Sequence, residues 1–239
     1  MGTSFSTANR FPRQGSSCPV SIMYTTTTDE AAVFNFVDSV ATDADVRAFI
    51  AAGGADSATI VEIEKLYPKD LGLPTAWAPT EKETAARGTQ WKQSIAFHTN
   101  VVETCSHRRT VDAWKAAGGT AHAARNSILA PDSAPRLGSH HSVELDYVFS
   151  NVDAGGNRAL QNLAKLMSLV WASFVVHLDP NMHRVPGVPL LASLERFRSG
   201  WHLGTKLCLQ HEWSYVEAGD YRLEQTRYLN SIVQSQMYN

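Results

Sequence analysis

Two adjacent imidazoles on a short loop and a carboxylate pair far upstream are the residues of this chain best suited to proton chemistry. The loop reads LGSHHSVELDYVFSN over residues 137–151 and sets His140 and His141 just after a glycine. The carboxylates, Asp29 and Glu30, follow the apolar run PVSIMY and four threonines. A carboxylate and an imidazole at the ends of two strands would make two members of a hydrolytic triad. The acid orients the ring and stabilises its cation, while the other ring nitrogen takes a proton from a nucleophile. In one known chain order of such sites a serine precedes both the acid and the histidine. Plainer readings compete with this one. A carboxylate in the first turn of a helix stabilises the helix dipole by roughly 0.3–1 kcal/mol, and a loop histidine can simply be solvated. His140, His141 and Glu144 as metal ligands form a third reading, weakened because no second His or Cys cluster has ligand spacing.

The elements that must position these residues are mostly helical. PVSIMY (19–24) suits a buried strand running into a turn at the threonines, and DEAAVFNFVD can open a helix. DADVRAFIAAGG reads as a short helix closed by its glycine pair, and SATIVEIEKLYP stops at Pro68. Residues 69–83 are turn-rich and read as a surface excursion. From 87 to 117 Trp91, Ile95, Phe97, Val101, Val102, Val111 and Trp114 recur at helical steps. GGTAHAARNSI, rich in alanine and with Thr120 as its one β-branched residue before Ile128, is at best a poor strand. NVDAGGN is a turn, Arg158 to Val176 a core-facing helix ending at HLDPN, and YRLEQTRYLNSIVQS the last helix. Two or three short strands are few partners for PVSIMY, whose buried backbone groups need pairing. An α/β fold with an incomplete sheet is the expectation.

Bulk properties narrow the function classes. The 239 residues carry 21 basic and 23 acidic side chains, a net charge of -2, with the signs interspersed. That balance gives no electrostatic reason to expect nucleic acid or an anionic membrane as partner. The longest apolar run, LMSLVWASFVV, is too short to span a bilayer. The first fifteen residues are polar, expected to be loose, and hold no secretory leader pattern. Gly2 and Ser6 fit a short and common myristoylation pattern. Cys18, Cys105 and Cys208 are far apart and form neither a zinc spacing nor a CxxC pair. Cys18 and Cys105 read as small buried hydrophobes.

In chain order, six stretches resemble the C-terminal half of the type B carboxylesterase and lipase family, α/β-hydrolases that include fungal lipases and cholinesterases. They are PVSIMYTTTTDEAAVF, YPKDLGLP, GTQWKQSIAFHTNVVETCSHRRTVDAW, LGSHHSVELDYVFSN, LMSLVWASFVVHLDPN and SYVEAGDYRLEQTRYLNSI. The resemblance implies an α/β-hydrolase fold over residues 1–239 and hydrolysis of carboxylic esters by a Ser–His–Glu triad, with no metal or organic cofactor. It assigns the acid to Glu30. Counting back from Glu144 and Phe149, it assigns the imidazole to His141, with His140 an exposed neighbour. Arg108 and Arg109 match a paired arginine of the excursion helix and are expected to be structural.

Departures from the family pattern are equally specific. No GxSxG occurs, so the nucleophile elbow, the oxyanion loop and the first strands are expected to lie before residue 1. Thr25 and Ala31 stand where the family has glycines, which would strain a backbone needing positive φ. His98-Thr99 replaces a Gly-Asp step, and PLLASL replaces a Trp-Pro motif. Three functional expectations follow: the acid- and imidazole-bearing part of a split esterase, inactive by itself; a non-catalytic binding remnant; or a piece that does not fold stably alone.

Overall fold

A computed structural model describes residues 20–34, 39–69, 81–129, 131, 137–183, 205–209 and 215–236. The polar N-terminus, Cys18, most of the excursion and the PLLASL stretch lie outside these residues. Strands β1 (Ile22–Thr27), β2 (Ala121–Asn126), β3 (Thr205–Leu209) and β4 (Tyr215–Ala218) form a sheet in that order. The first three are parallel, and β4 returns antiparallel to β3. The helices are α1 (Asp43–Ala52), α2 (Ser57–Leu66), α3 (Glu81–Arg87), α4 (Trp91–Thr99), α5 (Cys105–Ala116), α6 (Leu145–Val148), α7 (Arg158–His177) and α8 (Leu223–Gln236). A π-helical turn, Asn100–Thr104, joins α4 to α5, so the long helical pattern is one rod with one widened turn.

The two carboxyl ends that matter belong to β1 and β2, paired from Ile22 opposite Ala121 to Thr27 opposite Asn126. Thr25, Thr26 and Thr27 extend β1, as suits β-branched residues on a pleated surface, and Thr28 opens the turn that follows. More instructive is β2. The stretch AHAARN, read as a poor strand, lies between β1 and β3 with all six residues buried. Strand propensity assumes a surface that large side chains can cover; on a strand closed over on both faces, alanine lets the flanking layers approach. Burial, and not propensity, decided this strand.

Local signals account well for the helices. Thr42 and Asp45 form a reciprocal capping box at the start of α1, which buries Val46 and Ile50 and ends at Gly53. Asp56 caps α2 by accepting from Thr59 N–H at 2.8 Å. Asn157 caps α7, and Leu178 closes it in the left-handed region at φ 56°. At 20 residues α7 is long and apolar enough to cross a bilayer by length and composition, contrary to the expectation from its longest apolar run. One face of it nevertheless packs Leu160, Leu163, Met167 and Val170 into the core beside β2 and α6, while Val175 and Val176 are exposed.

Two apolar clusters result. One gathers Val46, Ile50, Ile63, Tyr67, Trp91, Phe97 and Leu229, and it includes Ala31 and Ala32 of the segment after β1. The other gathers Ala124, Ile128, Val143, Tyr147 and the buried face of α7. The paired arginines work as expected of structural residues. Arg108 donates to the Gly219 and Tyr221 carbonyls at 2.8 and 2.6 Å, and Arg109 to Asn230 Oδ1 at 2.9 Å, tying α5 to α8 and its approach. Cys105 is free and fully buried, its thiol pushed up to about 12 by that burial.

Candidate active site

Glu30 leaves β1 through a single 3-10 turn, Glu30–Val33, whose alanines are locked into the first cluster. It stands in the first turn of that 3-10 helix, and its carboxylate has specific partners besides. Its Oε1 reaches back to accept the Thr27 N–H at 2.6 Å, and its Oε2 faces His141 Nδ1 at 2.8 Å. A carboxylate oxygen accepts, so this contact places a hydrogen on Nδ1, and in the neutral ring Nε2 then keeps its lone pair. The acid is buried, its side chain 7% exposed, whereas the ring is 56% exposed. That asymmetry suits a fixed acid and a ring that must meet another group.

Each half of the pair is therefore anchored in a different core cluster, Glu30 through Ala31 and Ala32, His141 through Val143. They meet over the carboxyl end of β2. The Asn126 carbonyl accepts from Thr28 N–H (2.9 Å), Thr28 Oγ1 (3.0 Å) and Ser139 Oγ (2.9 Å), so one backbone oxygen holds both loops. Ile128 N–H donates to Ser139 Oγ at 3.1 Å, and Arg125 donates to Thr28 Oγ1 at 2.7 Å. From α4, Thr99 Oγ1 accepts the Ala31 N–H at 3.1 Å. The His98-Thr99 step thus serves the acid loop in its own way: Thr99 bonds it, and His98 is buried against Phe34 and Phe49. Burial holds the His98 imidazole down at about 4.

Two expectations about this region need correction. Neither Thr25 nor Ala31 has positive φ; Thr25 lies within β1 and Ala31 within the 3-10 turn, so the missing glycines cost no strain. His140 is not the exposed member of the pair. It is half-buried, and its Nδ1–H donates to the His141 carbonyl at 2.9 Å, while His141 is the more open ring. The glycine that does matter is Gly138, at φ 58°, where a Cβ would run into the Asp29 carboxylate. Gly138→Ala should destabilise the fold by about 2 kcal/mol or more through combined strain and overlap, read as a lowered Tm; an unchanged Tm would mean that the two loops do not meet this closely.

Further acids surround the ring. Glu103, in the π turn, accepts from Tyr24 Oη at 3.0 Å, and Tyr24 stacks on His107 with centroids 4.6 Å apart. Burial raises the Glu103 and Glu144 carboxyls, and the negative Glu30 raises both further. Glu144 leaves Oε2 buried without a hydrogen-bond partner among the described residues. Phe34 lies beside His141, centroids 6.0 Å apart. Glu103 was invisible as a site residue in the sequence because a π turn breaks the helical count that would assign faces, and Tyr24 and Phe34 because their neighbours here come from distant segments. Ser139 carried a weak signal, a small residue between a turn glycine and two histidines. No group of three His, Cys, Asp or Glu able to hold a metal occurs among the described residues.

The fold is of the α/β class, mostly helical with an incomplete sheet, and corresponds to part of the α/β-hydrolase fold. The crystal structure of Aspergillus niger EstA superposes with a TM-score of 0.68 at 19% identity, covering 89% of this chain and 40% of EstA. The chain therefore spans well under half of that protein. No protein-family model and no curated protein matches the sequence.

Proposed function

We propose that this chain is the acid- and imidazole-bearing part of a carboxylic ester hydrolase of the type B family, acting with a serine supplied from outside these residues. The single observation that carries the reading is the Glu30–His141 contact, with Nδ1 facing a buried carboxylate at 2.8 Å. Glu30 holds the ring in one tautomer and offsets its positive charge; Nε2 takes the serine proton during attack on the ester carbonyl and returns it to the leaving alcohol. Water then repeats the cycle on the acyl-enzyme. The superposition on EstA, whose name denotes an esterase, supports the same reading.

Hydrolysis of a p-nitrophenyl ester should be at background for the chain alone. It should appear when the chain is mixed with the polypeptide encoded immediately upstream that carries a strand–GxSxG–helix segment. Both parts soluble, associated and inactive would sink the reading, as would the lack of any such coding segment.

A further inference from the structure

Asp29 takes no part in the reaction just described, yet it makes the closest backbone link between the two loops. Its N–H donates to the Ser139 carbonyl at 2.9 Å, and the Ser139 N–H donates to its Oδ2 at 3.0 Å. Both backbone groups of residue 139 are thus held by one residue of the acid loop. Asp29 engages Ser139, and the next residue, Glu30, engages His141 two residues beyond it. Gly138 supplies the left-handed step and the lack of a Cβ that this approach requires.

We propose that Asp29 is a positioning residue for His141, clamping Ser139 so that the imidazole is presented to Glu30 before any substrate arrives; this rests on the reading of His141 as the proton shuttle. The Glu30 contact is one hydrogen bond to a ring 56% exposed, and a lone contact to an exposed partner holds geometry weakly. A backbone fastened two residues away removes most of the loop's freedom in advance, which is how a site avoids ordering cost at the moment of reaction. The arrangement also carries a cost that plain packing would not require. Asp29 is 5% exposed, and its carboxyl is raised to about 6 by burial despite the Ser139 bond and the Arg222, Lys92 and Arg125 cations.

The test uses the chain itself with 15N-labelled histidine, following the hydrogen-bonded His141 Nδ1–H in the low-field proton spectrum. Its loss in His141→Gln assigns it, and its loss in Glu30→Gln ties it to the acid. In Asp29→Ala, with an unchanged far-UV spectrum, this proton should exchange with water roughly tenfold or more faster. Asp29→Asn, which keeps an acceptor for the Ser139 N–H, should restore slow exchange. A merely structural role would lower Tm in Asp29→Ala and leave the ring proton as slow as in the wild type, which overturns the inference. If Asp29→Ala fails to fold, native-state exchange of the wild type decides. The Ser139 amide and the His141 ring proton should then open together at low denaturant. A ring proton still protected after Ser139 has opened rejects the clamp. Absence of any Glu30-dependent ring proton in the wild type would instead reject the Glu30–His141 reading, a separate failure.

Discussion

Glu30→Gln should lower kcat of the serine-complemented enzyme about 10^4-fold while leaving the fold almost intact. The substitution is nearly isosteric, and the amide oxygen can still accept the Thr27 N–H now bound by Oε1 at 2.6 Å. At the other end an NH2 would face His141 Nδ1 where Oε2 now stands at 2.8 Å. Two donors cannot share that contact, so the imidazole hydrogen moves to Nε2. A ring protonated on Nε2 cannot take the serine proton, and the cation formed in the reaction loses its buried counter-charge. Because the loss lies in the transition state and not in substrate binding, kcat and kcat/KM should fall together. His141→Ala should fall comparably, and the double variant no further, because the residues act as a unit. A kcat loss below tenfold for Glu30→Gln at unchanged Tm would show that the carboxylate does not act on the ring.

The second large effect is on stability, at Asp29. An ordinary aspartate titrates near 3.8; here burial carries the carboxyl to about 6, with the Ser139 N–H, Arg222 just before α8, Lys92 of α4 and Arg125 of β2 pulling it back only in part. Between these two values the native chain binds a proton that the unfolded chain does not. Stability therefore falls as pH rises through the window, and above about 6 the ionised group costs roughly 3 kcal/mol. Asp29→Asn removes that cost. The variant should be more stable than the wild type at pH 8 by up to about 3 kcal/mol, an upper bound because a neutral amide bonds Ser139 less strongly than a carboxylate. Below pH 4 the advantage should vanish. Denaturant melts at pH 8 and pH 4 check it, and a variant less stable at pH 8 would contradict the sign. His98 works in the opposite sense: held neutral down to about 4 by burial, it loses stability for the fold as pH falls below the ordinary histidine range. The two windows overlap and these two contributions oppose each other, so Asp29→Asn should lose stability more steeply than the wild type as pH falls from about 6 to about 4.

How the site's parts were legible differs from residue to residue. Glu30 and His141 were singled out through the resemblance of PVSIMYTTTTDEAAVF and LGSHHSVELDYVFSN to a known family, and not by their residue types alone. Asp29, one residue away, read only as half of a carboxylate pair, since nothing local says that its carboxylate reaches across 110 residues to Ser139. Glu103 and Tyr24 come from a helix and a strand 79 residues apart and meet only once β1 is packed against the π turn.

By itself the sequence determined what depends on near neighbours. The glycine pair after α1, Pro68 after α2 and the three- and four-residue apolar steps of α4 and α5 marked helices, because helical hydrogen bonds close within one turn. Tertiary structure decided what depends on distant partners: that alanine-rich AHAARN is a buried strand, that β3 and β4 join it, and that one backbone oxygen, at Asn126, fastens both loops. Strand pairing and buried polar contacts are bonds between segments far apart in the chain, so their stability belongs to no local stretch of residues.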